Sequence, residues 1–178
     1  MAVLTESRTA LPAGIWALDP VHSTIGFELP YLAGSFRGQF TDVDAKLTAD
    51  SLSGSARVAS VDVKDENLAA HLQSPDFFDV ERHPELTFAS DSIVRSGDEL
   101  KIAGELTIRG TTQPIELVGS IAGPITDGFG RERVNVKLET TVDRTDFGLN
   151  WNMPLPNGQP ALQNEVTLVA ELYFVQEA

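Results

Sequence analysis

The sequence predicts an all-β protein, an antiparallel barrel of about eight strands with one short helical insertion, a size that holds one small ligand. Three observations carry that expectation. Apolar and polar residues alternate with a period of two over most of the chain. Turn signals separate the alternating runs, and no helical run stands between consecutive strands. The alternation gives way most fully between Asp65 and Phe88, which reads as a short helix, a capped turn and a return into strand. A chain of 178 residues fits one domain.

Residues 1–14 have no clear period, and Pro12-Ala13-Gly14 closes them, so a flexible tail is expected before a domain spanning 15–178. Ile15 to Asp19 is a first strand, and Asp19-Pro20 a turn signal. Ile25, Phe27 and Leu29 share one face of the next strand, which Pro30 is expected to bend. Phe36 and Phe40 share a face in the third. Val43 to Ala49 forms another strand. From Ala56 to Lys64 the apolar phase changes from even to odd positions, which predicts a bulge or strong bend near Ala59-Ser60.

Asp65 or Asn67 can cap a helix running through Leu72, and Ser74-Pro75-Asp76 has the form of a second helix start. His83-Pro84 ends the helical part. Leu86 and Phe88 then open a strand. Leu100 to Ile108, Ile115 to Ile121, Val134 to Val142 and Val166 to Val175 alternate cleanly. Residues 143–164 are irregular and rich in proline.

Charge narrows the function classes. The formal net charge is −13, with 26 acidic and 13 basic residues and no basic run, which argues against nucleic acid and against anionic membrane surfaces. No run approaches the roughly 20 apolar residues of a membrane span. The N-terminus lacks the pattern of a secretory signal, so a cytoplasmic protein is expected. With no cysteine, thiolate metal sites and cysteine nucleophiles are excluded.

Catalytic patterns are absent. His22, His71 and His83, with Asp19, Asp65, Asp76 and Asp79, have the residue types of a metal or acid–base site, but no paired-histidine spacing occurs. No G-x-S-x-G or phosphate-loop pattern is present. Aromatic residues are more informative. Phe77, Phe78, Phe129, Phe147 and Trp151 fall in irregular segments, where they can edge a barrel mouth around an apolar cavity. Gly104 and Gly119 fall on the apolar-facing phase, where a glycine leaves room for a ligand or marks a tight bend.

Four ordered segments resemble one known family. They are W-A-L-D-P-V-H-S-T-I-G-F (Trp16 to Phe27), H-L-Q-S-P-D-F-F-D-V-E-R-H-P-E-L-T-F-A-S (His71 to Ser90), G-E-L-T-I-R-G-T-T-Q-P-I-E-L (Gly104 to Leu117) and D-R-T-D-F-G-L (Asp143 to Leu149). They look like the signatures of the YceI-like, polyisoprenoid-binding family. That resemblance implies a lipocalin-like antiparallel β-barrel around an elongated apolar cavity. It also implies a long isoprenoid or other amphiphilic lipid as ligand, no catalytic chemistry, and a homodimer. Many relatives carry an export signal, which is not expected here, and residues 150–164 are idiosyncratic.

The expected ligand-contact set is His22, Phe27, Phe36, Phe40, His71, Phe77, Phe78, Phe88, Phe147 and Trp151, with no catalytic residue, metal or cofactor. The phenylalanines are expected to line the cavity, and His22 and His71 to stand near it or its mouth. The expected function is to bind and carry or store a polyisoprenoid or isoprenoid quinone. One alternative is a lipocalin-like isomerase, cyclase or hydrolase using His71 with Asp19, Asp65 or His22. Another is a filled barrel whose outer face binds a protein.

Overall fold

The computed structural model describes residues 9–177. Its strands are β1 (Trp16–Leu18), β2 (Thr24–Tyr31), β3 (Gly34–Phe40), β4 (Val43–Leu47), β5 (Leu52–Arg57), β6 (Val61–Asp62), β7 (Glu85–Ser96), β8 (Glu99–Ile108), β9 (Thr111–Thr126), β10 (Glu132–Asp143) and β11 (Glu165–Gln176). Helix α1 (Glu66–Gln73) lies between β6 and β7.

The six short strands are three long ones, each broken once. β1 and β2 both pair with β11, Leu18 opposite Phe174 and Glu28 opposite Thr167. β3 pairs with β2 and β4 with β1, while β5 pairs with β4 and β6 with β3. The wall is therefore a closed 8-strand antiparallel barrel in up-and-down order, with β11 sealing it against β1 and β2. The predicted fold class holds.

The breaks have local causes. The Asp19-Pro20 turn divides β1 from β2. A 3₁₀ turn, Val58–Ser60, divides β5 from β6 where the apolar phase changes. It lets Ala56, Val58 and Val61 all be buried despite their mixed parity. A register shift between Ser90 and Ser92 does the same in β7, keeping Phe88 and Ile93 packed against the interior. Pro30 does not bend β2. It stands past the last pair with β11, and the strand runs through it to Tyr31.

Asp65 caps α1, its carboxylate accepting the Leu68 N–H at 2.9 Å. Ser74 is the C-cap of this helix rather than the N-cap of a second one. Its N–H and its hydroxyl both donate to His71 O. Residues 75–82 form turns, because Asp79 adopts φ 54°, outside the helical region.

One end of the barrel is packed solid. Trp16, Leu47, Ile102, Ile121, Val134 and Phe174 fill it, each at most 2% exposed. Leu11 packs onto this plug from outside the strands. Of the expected tail, residues 1–8 lie outside the described residues. Thr9 to Gly14 are held on the barrel: Thr9 N–H donates to Arg95 O at 2.8 Å, Arg95 Nη1 to Ala10 O at 3.0 Å, and Trp16 Nε1 to Ala13 O at 3.2 Å. Glu177 N–H donates to Ile15 O at 2.8 Å, so the last described residue meets the residue just before β1.

An ion network ties the β1–β2 break to the start of β10. Arg133 donates to Asp19 at 2.8 Å and to Asp127 at 2.6 Å, and His22 Nδ1 stands 2.7 Å from Asp19 Oδ2. Burial pushes the Asp19 carboxyl up, but hydrogen bonds from His22, Arg133 and the Val21 N–H outweigh it and hold the pKa at about 2 against an ordinary 3.8. The Arg133 guanidinium, with the Arg131 and Phe129 N–H groups, holds Asp127 well below the carboxylate range. Both folded-state values are depressed. Their stabilisation is therefore complete above about pH 4 and is lost as pH falls toward 2 and below. Arg133→Leu is expected to flatten this acid limb, read as the denaturant midpoint at a series of pH values.

Candidate ligand cavity

Away from the plug the barrel is hollow. β3 and β7 are not paired at this end, because β6 has only two residues and β7 starts beyond it. Helix α1 and the turns after it fill that gap. The loop from Gly148 to Asn164 covers the neighbouring sector. It is less irregular than its composition predicts. Pro154 and Pro160 bridge, and Asn152 pins the loop through Leu162 O at 2.8 Å and Leu162 N–H at 3.0 Å.

The main compartment has a volume of about 300 Å³, at the lower edge of the range for small-molecule sites. Phe27, Phe36 and Phe40 border it from β2 and β3, and Phe77 and Phe78 from the turns after α1. Phe147, Leu149 and Trp151 border it from the root of the loop. A smaller apolar compartment of about 130 Å³ adjoins it toward the plug. The two share Phe40, Leu86, Ile108 and Leu168, a constriction between two parts of one apolar interior.

Three rings join the helical segment to the loop. The His71 ring meets Phe77 at 5.0 Å and Trp151 at 4.7 Å, both edge-on, and Phe77 and Trp151 are 5.4 Å apart. His71 Nε2 lies 3.1 Å from Asp76 Oδ2. Arg109, at the β8–β9 turn, donates to Phe77 O at 3.1 Å and to Gly148 O at 3.4 Å. The cover over the main compartment is thus tied from both sides. Tyr31 and Met153 border the same compartment and remain exposed, so the opening is at this rim.

Eight of the ten expected contact residues border the main compartment: Phe27, Phe36, Phe40, His71, Phe77, Phe78, Phe147 and Trp151. Phe88 borders the inner one. His22 borders neither. Its side chain is 64% exposed, salt-bridged to Asp19, with its ring against Tyr173 at 6.0 Å. The Asp19-Pro20 turn carries it outside the wall. Phe129 is also no mouth residue: it is 86% exposed in the β9–β10 turn, under Arg131.

Gly104 and Gly119 leave no room for a ligand. A Cβ on Gly104 would meet Ala89 O at 2.4 Å, and on Gly119 Lys137 O at 1.7 Å. Both mark close strand approach.

Residue patterns missed Arg144. It is 5% exposed, lies in the 3₁₀ turn Arg144–Phe147 after β10, and borders the main compartment. Its guanidinium donates to Leu149 O at 2.7 Å, Trp151 O at 2.8 Å and Gln163 O at 3.0 Å, holding the loop to the barrel. Burial pulls its pKa down, against the Asp143 carboxylate, which raises it. Also unforeseen were Leu29, Leu68, Leu72, Ile108 and Leu149, aliphatic wall residues with no distinguishing local signal.

Among the described residues no group of three or more His, Asp or Glu side chains is placed to hold a metal ion, and no helix is long and apolar enough to cross a membrane. A closed up-and-down barrel, solid at one end and hollow at the other under a helical cover, defines a lipocalin-like protein.

The YceI-like domain family matches residues 16–174, and the chain belongs to that family. It is 31% identical over 164 residues to protein YceI of Escherichia coli O157:H7, covering 88% of this chain and 83% of that one. The fold is similar to that of BcnA of Burkholderia cenocepacia, with a TM-score of 0.76 at 20% identity over 88% of this chain and 98% of that one. It is also similar to a polyisoprenoid binding domain from Saccharophagus degradans implicated in plant cell wall breakdown. There the TM-score is 0.73 at 11% identity, over 91% of this chain and 98% of that one.

Proposed function

We propose that the protein binds a long-chain amphiphilic lipid and carries or stores it with the tail inside the barrel. A polyisoprenoid, with or without a quinone head, is the ligand class. The observation that carries this reading is the interior itself: two adjoining compartments walled almost wholly by aliphatic and aromatic side chains, opening at one rim. Burying about ten methylenes at about 0.8 kcal/mol each contributes about 8 kcal/mol before ordering costs, enough for micromolar binding. The polyisoprenoid binding of the Saccharophagus domain supports the same class.

The reading needs no cofactor and no catalytic step. The enzymatic alternative drew on His71 with His22, Asp19 or Asp65. His22 and Asp19 pair with each other outside both compartments, and Asp65 is engaged in capping α1. His71 keeps only Asp76, at the rim.

Native mass spectrometry of the purified chain, followed by solvent extraction, tests the reading. A long-chain passenger is expected. A bare-chain mass, together with no uptake of added prenols, would overturn it.

A further inference from the structure

We propose that the Arg144 guanidinium anchors the ligand's polar head, and that this head carries an anionic oxygen, a carboxylate or a phosphate. The inference rests on the lipid-binding reading and narrows the ligand to an acidic amphiphile.

Arg144 is a buried cation that no carboxylate contacts, with Asp143 acting on it only through space. Its acceptors are all neutral: the carbonyls of Leu149, Trp151 and Gln163, and the side-chain oxygen of Asn164. Among the described residues no carboxylate forms an ion pair with it. Asp143, its chain neighbour, is engaged elsewhere, its Oδ1 accepting the Thr145 N–H at 2.8 Å and hydroxyl at 2.5 Å.

Nη2 has a single contact, at 3.4 Å to Asn164 Oδ1. A guanidinium Nη carries two hydrogens, so one is left without a partner among the described residues. Carbonyl dipoles satisfy N–H groups but do not cancel a charge. In a low-dielectric wall a guanidinium that no carboxylate contacts favours an anionic oxygen, which it grips with charge-assisted hydrogen bonds. A neutral hydroxyl gains only an ordinary hydrogen bond there, and a cationic head is repelled.

The position suits a head group. Arg144 stands at the root of the covering loop and holds Trp151 O, while the Trp151 ring packs on His71 at the rim. The inner compartment offers almost no polar surface, so the tail runs that way.

The test uses pairs matched in chain and different in head: hexadecanoate against hexadecanol, and farnesyl phosphate against farnesol. Each is titrated into the full chain and followed by tryptophan fluorescence. In at least one pair the acid is expected to bind roughly tenfold to a hundredfold tighter than its alcohol, the gain of a charge-assisted over a neutral hydrogen bond. Which pair discriminates identifies the anion.

Asn164→Asp keeps an oxygen beside Nη2 and makes it a carboxylate, neutralising the guanidinium without removing its hold on the loop. In that variant the preference of the acid over its alcohol is expected to disappear. Equal affinities within both pairs in the unmodified chain would overturn the anchor and leave lipid binding intact. A preference that survives Asn164→Asp would also overturn it. Binding of none of the four probes would remove the lipid reading and the anchor together. The acid–alcohol comparison in the unmodified chain stands whatever the variant's stability.

Discussion

Alanine in place of Gly119 is expected to destabilise the barrel by about 3 kcal/mol and to lower its thermal midpoint by about 10 °C. The Cβ would stand 1.7 Å from Lys137 O and 3.0 Å from Leu138 Cα, both backbone atoms of β10. No side chain can swing aside to relieve the overlap. Gly119 faces Leu138 in one ladder and Leu100 in the other, so moving β9 strains both. Gly34→Ala is the control. Nothing lies within 4 Å of a Cβ there, and a change within about 0.5 kcal/mol is expected. Denaturant unfolding of the two variants side by side measures the contrast. Equal midpoints would mean that the β9–β10 spacing relaxes freely.

The paired change Phe77→Ala and Phe78→Ala is expected to lower lipid retention at least about tenfold while the β-sheet circular dichroism persists. Large-to-small changes at buried phenylalanines cost about 3 to 5 kcal/mol each when the surroundings do not collapse. Here the loss falls on the cover rather than on the strands. Phe77 packs on His71 and Trp151, and Phe78 meets Phe40 edge-on at 5.8 Å. Neither residue belongs to a ladder, so the wall keeps its hydrogen bonds. Extraction and quantification of bound lipid after extensive dilution reads the effect. Retention equal to that of the unmodified chain would reduce this segment to a connection.

The wall was legible in the sequence because its physics is local. A period of two, interrupted by turn residues, sufficed to place Leu100 to Ile108 and Val134 to Val142 with the correct faces inward. The phase slip at Ala59-Ser60 marked a real break, and Asp65 marked a real cap. The cavity was legible only in part. Aromatic residues outside the alternating runs stood out, and Phe77, Phe78, Phe147 and Trp151 do border one compartment, whereas Phe129 does not. Their aliphatic partners did not stand out, since an inward leucine reads the same whether it faces a void or another leucine.

His22 misled because membership of a motif does not say which side of a turn a side chain takes. Arg144 was invisible for a different reason. An arginine flanked by Asp143 and a threonine reads as a solvated pair, and only the fold buries it and gives its neighbour's carboxylate to Thr145.

The seal between β1 and β11 has a consequence for how the chain can be cut and rejoined. Apart from the pairing of β1 and β2 with β11, the wall joins strands that follow one another around the barrel in chain order, whereas Trp16 sits opposite Gln176. The start of β1 and the end of β11 are therefore spatial neighbours, at the solid pole and away from the rim where a ligand enters. A short linker between them would cross no ladder, and new ends could open at the exposed β4–β5 turn around Asp50. Such a circular permutant keeps all eight staves of the barrel. For the same reason a reporter or tether joined directly after Gln176 is expected to hang from the closed pole and leave the mouth unobstructed.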